Sequence, residues 1–377
     1  MQQHPLLPLD IPVGTILDHT TEGIYVTDLD CRILFWNAAA ERITGWKSEE
    51  VVGRPCSEDI LMHVDHQGRR LCEPGRCPLH RSMTADESSG SPILLYANTP
   101  GGQRVPVSVS VAPLHDQEGK VVGGVEVFRD ERENLLNLER ARMVQRHVLP
   151  QDLPRGEVCF AALYRPLDQV GGDYYNVRTL NDGRHAFMLA DVTGHGISAA
   201  LNTMTLNALW HRYGRLLVEP GRFLTRLNQE VAQLFTGDNF ATAVVGVVDP
   251  ASGRLVYGSA GHPAPLWRHR DGEVGQLPAL DPPLGMEENN RYHKDEVVLE
   301  RGELLLLYSD GALEAENPQG EPFGMLRLVE LVRRQKRPSP EDLLAGMEQA
   351  LTGHRQSSLF QDDLTLLALA RVAPPPA

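Results

Sequence analysis

Aspartates stand at the ends of apolar, strand-like segments at four places in the second half of the chain. Asp173 lies in "VGGDYYN", Asp191 follows "FMLA", Asp310 follows "LLLLYS", and the pair Asp362 and Asp363 precedes "LTLLAL". An ionised carboxylate against a low-dielectric core is costly unless it is hydrogen-bonded, paired or bound to a cation. Each position alone is also typical of a helix cap or a turn. Four such places with almost no Lys or Arg beside them predict bound divalent cations.

An all-oxygen ligand set indicates the kind of metal and its chemistry. Carboxylates favour Mg²⁺ or Mn²⁺, whereas Zn²⁺ favours Cys and His. Two such ions about 3.5–4 Å apart acidify a bridging water and hold phosphoryl oxygens for in-line displacement. The aspartates therefore predict hydrolysis of a phosphate ester.

The motifs around these aspartates occur in a recognisable order. "GGDYY", "DVTGHG", "SAGHPAPL", "PPLGM", "SDG" and "DDLT" together resemble the PPM superfamily of metal-dependent protein serine/threonine phosphatases, in its SpoIIE/RsbU-like branch. The resemblance extends from about residue 159 to residue 372. It implies a β-sandwich flanked by helices and a site that holds two Mn²⁺ or Mg²⁺ ions.

The resemblance also implies a role for each ligand. Asp191 would bridge the two ions with the Val192 carbonyl as a further ligand, and Asp310 and Asp362 would complete the shell of the second ion. Asp173 would hold a water beside the ions. Of the neighbours Asp362 and Asp363, the first is favoured as the ligand, because the family often has Asn at the second position. Asp363 is then expected to form hydrogen bonds.

Two histidines are candidates for a general acid. His195 lies in the glycine turn "TGHG", and His262 follows a glycine in "AGHPAP". Each is also typical of a histidine that bonds to loop carbonyls, and the sequence leaves both interpretations open.

The first part of the chain is similar to the PAS sensor family. The stretch "EGIYVTDLDCRILFWNAAAERITGWKSEEVVGRP" predicts a hairpin, a helix and a turn, and "RVPVSVSVAPL" and "VVGGVEVFRD" predict two further strands. A single antiparallel sheet with small helices accounts for this pattern. PAS domains differ in their ligands, so the resemblance names no ligand for this one.

A loop-like segment of the first part concentrates potential ligands. The segment "HVDHQGRRLCEPGRCPLH" carries His63, His66, Cys72, Cys77 and His80. These side chains are candidates for a metal site, an iron–sulfur site or a thiol switch. The Cys-x4-Cys spacing is not that of a usual zinc knuckle, and Cys also serves as a small hydrophobic residue.

A charged segment without glycine, residues 131 to 150, connects the two parts. Leu138, Ala141, Val144 and Val148 form an apolar stripe at helical spacing, and Leu135 extends it. The stripe predicts either a helix packed on its own domain or a short dimer helix that carries a signal.

These patterns predict an α+β protein with three parts. We expect a PAS sensor domain over 11–129, a helical linker over 130–152 and a PPM-type phosphatase domain over 155–372. The last domain is predicted to have two long helices, at about residues 197–213 and 220–235. A homodimer through the linker helix or the PAS domain is expected.

The composition of the chain limits which classes of partner and which cellular compartment we expect. The formal net charge is −14, which argues against nucleic acid as a partner. The first residues lack a basic segment followed by an apolar one, and the apolar run "LLLLY" is too short for a membrane span. The five cysteines fit a reducing compartment. We therefore expect a cytoplasmic protein with no membrane partner.

The family resemblance implies a signalling phosphatase acting in a stress response. Its substrate would be a phosphoserine or phosphothreonine on an anti-anti-sigma protein of the STAS type, so that activation releases a sigma factor. The alternative is a catalytically weak regulatory protein that signals by docking. A cyclase or histidine kinase would need a GG[DE]EF-like loop or a glycine-rich ATP lid, and the sequence shows neither.

Overall fold

The chain forms two compact units, residues 1–137 and 138–377. The structure is a computed structural model that describes residues 12–73, 75–194, 196–235, 239–278, 281–356 and 361–372. The three predicted domain ranges are finer than this division and stay predictions. No helix in the described part of the chain combines the length and hydrophobicity of a membrane span.

The first unit is built on one antiparallel sheet with the strand order β2-β1-β5-β4-β3. Its strands are β1 (Gly23–Asp28), β2 (Ile33–Trp36), β3 (Ile93–Asn98), β4 (Arg104–His115) and β5 (Val121–Asp130). Its helices are α1 (Val13–Asp18), α2 (Ala38–Thr44), α3 (Ser48–Val51) and α4 (Pro78–Ala85). The predicted antiparallel sheet with small helices is confirmed.

Local sequence explains the first unit's elements. Burial alternates along β1, which places Tyr25 in the core beside Trp36 and Phe128. Asn37 caps α2 by accepting a hydrogen bond from the backbone of Ala40. Gly45 ends that helix at φ 84°, a conformation that favours glycine.

The second unit contains two five-stranded sheets, ordered β13-β10-β9-β8-β7 and β12-β11-β14-β15-β6. Their strands are β6 (Val158–Arg165), β7 (Asp173–Thr179), β8 (His185–Val192), β9 (Ala241–Val248), β10 (Arg254–Ala260), β11 (Leu266–Arg268), β12 (Val274–Gln276), β13 (Asp295–Val298), β14 (Leu304–Tyr308) and β15 (Leu364–Arg371). The linker helix α5 (Arg132–Val148) precedes them. The other helices are α6 (Gly196–Arg212), α7 (Pro220–Leu234), α8 (Gly311–Glu314), α9 (Gly324–Arg334) and α10 (Pro340–Arg355), with a short 3-10 helix at Gly214–Val218.

Packing on both faces explains why the central strands are continuously apolar. In β14, Leu305 and Leu307 face the core between the two sheets of the second unit. Leu304 and Leu306 face the other way, into a second core with α9 and α10. The rings of Phe160 and Phe187 pack against each other between these two sheets, with 6.0 Å between their centroids. The predicted sandwich with helices outside is confirmed.

Three helices of the second unit, α8, α9 and α10, were absent from the sequence prediction. Helix α9 is short, and α10 begins after Ser339, whose side chain accepts a hydrogen bond from the amide of Asp342. Proline at the first position of α10 completes a recognisable helix start. The "SPED" segment was therefore a usable signal.

Candidate metal centre

Strand register places the predicted aspartates at matching ends of the two sheets. Asp173 begins β7 and is the antiparallel partner of Asp191 near the end of β8. In the other sheet, Asp310 follows β14, and Asp362 precedes β15, which pairs with β14. The fold therefore brings together acids that are far apart in sequence.

Three carboxylates form the densest part of this cluster. One oxygen from each of Asp310, Glu314 and Asp362 lies within 4.8 Å of the others. Helix α8 places Glu314 one turn after Asp310. Burial, and then the charges of Asp362 and Glu314, raise the pKa of Asp310. Within the described ranges, no other three His, Cys, Asp or Glu side chains bring ligand atoms so close.

Asp191 and Asp173 extend the negative region into the protein. Burial, followed by the negative charge of Asp310 among others, raises the pKa of Asp191 to about 7. Asp173 is fully buried, and burial followed by the charge of Asp191 raises its pKa well above the usual value. The hydroxyl groups of Ser309 and Thr365 face it, yet neither carboxylate oxygen makes a hydrogen bond of normal geometry. A buried carboxylate in this state lacks a counter-charge.

The Asp363 carboxylate is used differently from that of Asp362. Its two oxygens accept hydrogen bonds from the backbone amides of Leu167, at 2.7 Å, and Gly172, at 2.5 Å. Asp362 instead accepts a bond from the amide of Asp363, at 2.7 Å, and belongs to the three-carboxylate group. Asp363 therefore ties the loop before Asp173 to the start of β15.

The paired glycines before Asp173 allow the backbone to approach the site closely. A Cβ on Gly171 would lie 2.7 Å from the Asp363 carboxylate, and one on Gly172 would lie 2.6 Å from the Val192 carbonyl oxygen. The Val192 amide also donates to the Gly172 carbonyl at 3.0 Å. Any side chain here would displace the Val192 carbonyl that the sequence nominated as a ligand.

Of the two histidine candidates, the structure describes His262. His262 is buried, its Nδ1 lies 2.8 Å from the Thr242 hydroxyl, and burial lowers its pKa to about 3. A ring with this pKa is neutral near pH 7 and is poorly suited to donate a proton. His195 lies outside the described residues.

The five candidate ligands of the first unit do not converge. Within the described ranges, no three of their ligand atoms lie within 4.8 Å of one another. His63 is buried beside Glu126, with 3.5 Å between Nε2 and Oε1. His66 is exposed, while Cys72, Cys77 and His80 are half-buried.

The acidic cluster of the second unit fits divalent cations. It offers only oxygen donors, it holds mutually repelling carboxylates close together, and it leaves both oxygens of Asp173 without a hydrogen bond. Carboxylates in such a group coexist when they are protonated or when cations neutralise them. Hard cations such as Mg²⁺ and Mn²⁺ match this donor set.

Comparison with known families agrees with this geometry. The profile of the family described as Stage II sporulation protein E (SpoIIE) matches residues 181–372, just over half of the chain. The chain belongs to the SpoIIE family. A PAS domain profile matches residues 21–133 of the same SpoIIE-family chain. A PAS domain therefore precedes a SpoIIE-type phosphatase domain of the PP2C fold, and both resemblances inferred from the motifs are confirmed.

Individual relatives of this SpoIIE-family chain carry related names. Phosphoserine phosphatase RsbP of Bacillus subtilis (strain 168) is 32% identical over 181 residues, which are 47% of this chain and 45% of RsbP. Phosphoserine phosphatase RsbU of the same organism is 26% identical over 257 residues, 68% of this chain and 74% of RsbU. The chain thus spans less than half the length of RsbP.

A solved structure supports the fold of the SpoIIE-type region. The SiaA-PP2C domain of Pseudomonas aeruginosa superimposes with a TM-score of 0.56 at 24% identity, covering 64% of this chain and 97% of that domain. At this identity the likeness establishes the fold of the SpoIIE-family chain and nothing finer.

Sequence reasoning missed Glu314 and Gln145 of this SpoIIE-family chain. Glu314 lies four residues after Asp310 in "SDGALE", a spacing that places both on one side of a helical turn. Gln145 lies in the linker helix and is 4% exposed. The signal available in the sequence was a glutamine four residues after Ala141 and three before Val148, at helical spacing with the stripe. Val144, which the stripe included, is 55% exposed.

Proposed function

We propose that this chain is a Mn²⁺- or Mg²⁺-dependent protein phosphatase that hydrolyses phosphoserine or phosphothreonine. The observation that carries the proposal is the convergence of Asp310, Glu314 and Asp362, with oxygens within 4.8 Å of one another. Divalent cations bound there supply positive charge for phosphoryl oxygens and acidify a water for attack on phosphorus.

The chain's own residues take distinct roles in this proposal. Asp191, Asp310 and Asp362 bind the cations, with the Val192 carbonyl as a further ligand. Asp173 faces the same region with both oxygens free of hydrogen bonds, so it orients the attacking water and accepts its proton. Glu314 extends the ligand set, since it lies with Asp310 and Asp362.

Hydrolysis of p-nitrophenyl phosphate by the full chain tests this proposal. We expect turnover with Mn²⁺ or Mg²⁺, none with EDTA, and a loss of at least about 100-fold in Asp191→Asn. Asp182→Asn is the matched control, because Asp182 lies in the turn at the other end of the β7–β8 hairpin and pairs with Arg184. Turnover in EDTA, or full activity in Asp191→Asn, would defeat the proposal. Metal binding without turnover would favour the alternative, a regulatory protein that signals by docking.

The proposed substrate is a serine- or threonine-phosphorylated anti-anti-sigma protein of the STAS type, whose dephosphorylation releases a sigma factor. The names of the relatives RsbP and RsbU, both phosphoserine phosphatases, support a phosphoserine substrate. Because a sigma factor acts on RNA polymerase, we propose that the protein works in the cytoplasm. Incubation with a panel of phosphorylated STAS proteins, followed by phosphate-affinity electrophoresis, tests it. Hydrolysis of the small ester without hydrolysis of any STAS protein would contradict the substrate and leave the phosphatase in place.

We also propose that the linker helix controls the metal site. The side-chain amide of Gln145 donates to the Gly171 carbonyl at 2.7 Å and to the Thr203 hydroxyl at 2.9 Å. Its oxygen accepts from the Gly171 amide at 3.2 Å and from the Tyr164 hydroxyl at 3.1 Å. One helix residue therefore holds both the backbone N–H and the backbone carbonyl of Gly171, which precedes Gly172 and Asp173. A signal from the PAS domain, or dimer packing through the linker, would reach the site by moving this residue.

A further inference from the structure

Four of the five cysteines of the chain lie in the first unit, and two of them are neighbours across a backbone pair. Cys31 follows the turn that ends β1, and Cys56 precedes the core residue Ile60. Cys72 and Cys77 belong to the loop-like segment described above, and Cys159 lies in the second unit. All five are free thiols.

The backbone fixes the separation of Cys31 and Cys56. Arg32 and Pro55 form an antiparallel bridge, and the Cys56 amide donates to the Cys31 carbonyl at 3.0 Å. Opposed residues in antiparallel pairs have Cα atoms about 4.5–5.5 Å apart. A disulfide spans Cα distances of about 4.4–6.8 Å. The Cα separation expected for residues opposed in this way falls within the range that a disulfide spans.

The two thiols are also close enough to influence each other's ionisation. Cys31 is half-buried and Cys56 is 5% exposed in the core of the first unit. The interaction between the two thiols lowers the pKa of Cys31, and it raises the pKa of Cys56 together with burial. One thiol is thus reachable from solvent and the other is protected behind it.

The remaining thiols of the first unit lack this arrangement. Burial raises the pKa of Cys72 to about 12 and also raises the pKa of Cys77. The Cys77 amide donates to the Glu73 carbonyl at 3.1 Å and not to Cys72. Neither residue is joined to another cysteine by a backbone hydrogen bond, so the backbone geometry singles out Cys31 and Cys56.

We propose that Cys31 and Cys56 form a reversible disulfide in response to a hydroperoxide, which makes the first unit a thiol-based redox sensor. The Cys31 thiolate attacks the terminal peroxide oxygen, the O–O bond breaks, and a sulfenic acid forms on Cys31 while the alcohol or water leaves. The Cys56 sulfur then attacks the Cys31 sulfur, and a second water leaves. With hydrogen peroxide, two thiols and one peroxide give one disulfide and two waters, and two electrons pass from sulfur to oxygen.

The crosslink closes a loop that contains β2, α2 and α3. It joins the turn after β1 to the segment that leads into the core around Ile60. Oxidation therefore restricts the side of the sheet where the PAS helices pack, and reduction by a thiol restores the free pair.

Thiol mapping of the full chain tests this proposal independently of phosphatase activity. The protein is treated with hydrogen peroxide, blocked with N-ethylmaleimide under denaturing conditions, digested, and analysed by mass spectrometry without reduction. We expect a peptide pair that joins Cys31 to Cys56 and lacks two hydrogens, with equal loss of maleimide at both residues. Dithiothreitol should restore labelling. Full labelling of both residues, a Cys72–Cys77 crosslink in their place, or crosslinking by glutathione disulfide but not by peroxide would overturn the proposal.

Cysteine variants distinguish a specific Cys31–Cys56 disulfide from unspecific oxidation of the other cysteines. Cys31→Ser should abolish the crosslink and leave Cys56 fully labelled, whereas Cys159→Ser should leave it unchanged. Circular dichroism checks that Cys31→Ser folds, and the wild-type mapping needs no variant. A second variant, Cys56→Ala, should accumulate sulfenic acid on Cys31, detectable with dimedone. Absence of dimedone adduct in folded Cys56→Ala would contradict the assignment of Cys31 as the attacking thiol.

Discussion

The Asp363 carboxylate and the Gly172 amide are joined by a hydrogen bond of 2.5 Å between Oδ2 and N. Its other oxygen accepts from the Leu167 amide at 2.7 Å. Through these two bonds, the residue before β15 holds the loop that leads to Asp173 in β7. The two sheets are therefore fixed to each other at the end where the acids converge.

Replacement of Asp363 should lower the stability of the protein. Asp363→Ala leaves the Gly172 and Leu167 amides without acceptors, so we expect the free energy of unfolding to fall by about 3 kcal/mol. Urea unfolding of the full chain measures this. Asp271→Ala is the control, since Asp271 accepts a backbone bond from Glu273 in an exposed turn and its loss should cost less than about 1 kcal/mol. Equal effects of the two variants would contradict the role of Asp363.

Replacement of Asp362 should have the opposite effect on the metal-free protein. Asp362→Asn removes one of three neighbouring negative charges, so the melting temperature in EDTA should rise by a few degrees, for a gain of about 1 kcal/mol. The rise in melting temperature caused by Mn²⁺ should be lost, because a ligand is gone. Differential scanning calorimetry with Asp182→Asn as control measures both. An unchanged Mn²⁺ effect would show that Asp362 is not a ligand.

Gly172 should not tolerate a methyl group. Gly172→Ala places a Cβ 2.6 Å from the Val192 carbonyl oxygen, which must then move. We expect the Mn²⁺ concentration for half-maximal hydrolysis of p-nitrophenyl phosphate to rise at least tenfold. Gly346→Ala is the control, because nothing lies within 4 Å of its Cβ, and alanine in a helix should stabilise by up to about 1 kcal/mol. Similar metal requirements in both variants would contradict the close approach.

Gln145 should act as a positioning residue. Gln145→Leu keeps the size but removes all four hydrogen bonds, so we expect a loss of about 2–3 kcal/mol and a raised Mn²⁺ requirement. Gln145→Glu retains the acceptor oxygen, so it should lose less stability than Gln145→Leu and should need less additional Mn²⁺. Glu139→Gln on the exposed side of the same helix is the control. Loss of stability with an unchanged Mn²⁺ requirement would reduce Gln145 to a packing role.

The buried pair of the first unit should make its stability depend on pH. Burial raises the pKa of Glu126 from 4.5 to about 8, so its contribution is full below pH 4.5 and is lost as pH rises through 8. Burial lowers the pKa of His63 from 6.5 to about 4, so its contribution is present above pH 6.5 and is lost as pH falls through 4. Glu126→Gln should remove the loss on the alkaline side and leave the loss on the acid side.

Hydrogen exchange of peptides covering β5 checks this expectation. Comparison of Glu126→Gln with wild type at each pH cancels the intrinsic exchange rate. Protection in the variant should exceed that of wild type increasingly between pH 5 and pH 8, with the exposed Glu118→Gln as control. A constant difference across this range would contradict a protonated Glu126.

Features that depend on neighbouring residues were predictable from the sequence, because they follow from local periodicity and from the order of motifs. Alternating burial in β1, the long helices α6 and α7, and the two-domain order all follow from such patterns. The aspartates at strand ends were predictable for a similar reason. A carboxylate next to an apolar segment needs a counter-charge wherever it lies in the fold.

The tertiary structure alone decided which groups meet. Asp362 and Asp363 are adjacent carboxylates with identical chemistry, and only the family resemblance favoured the first as the ligand. Their different partners come from Gly172, which is distant in sequence and lies in the loop before β7 of the other sheet. The pairing of Cys31 with Cys56 likewise depends on a bridge between segments that no periodicity connects. The local sequence determines whether a side chain requires a hydrogen-bond partner or a counter-charge. Long-range packing determines which distant residue provides it.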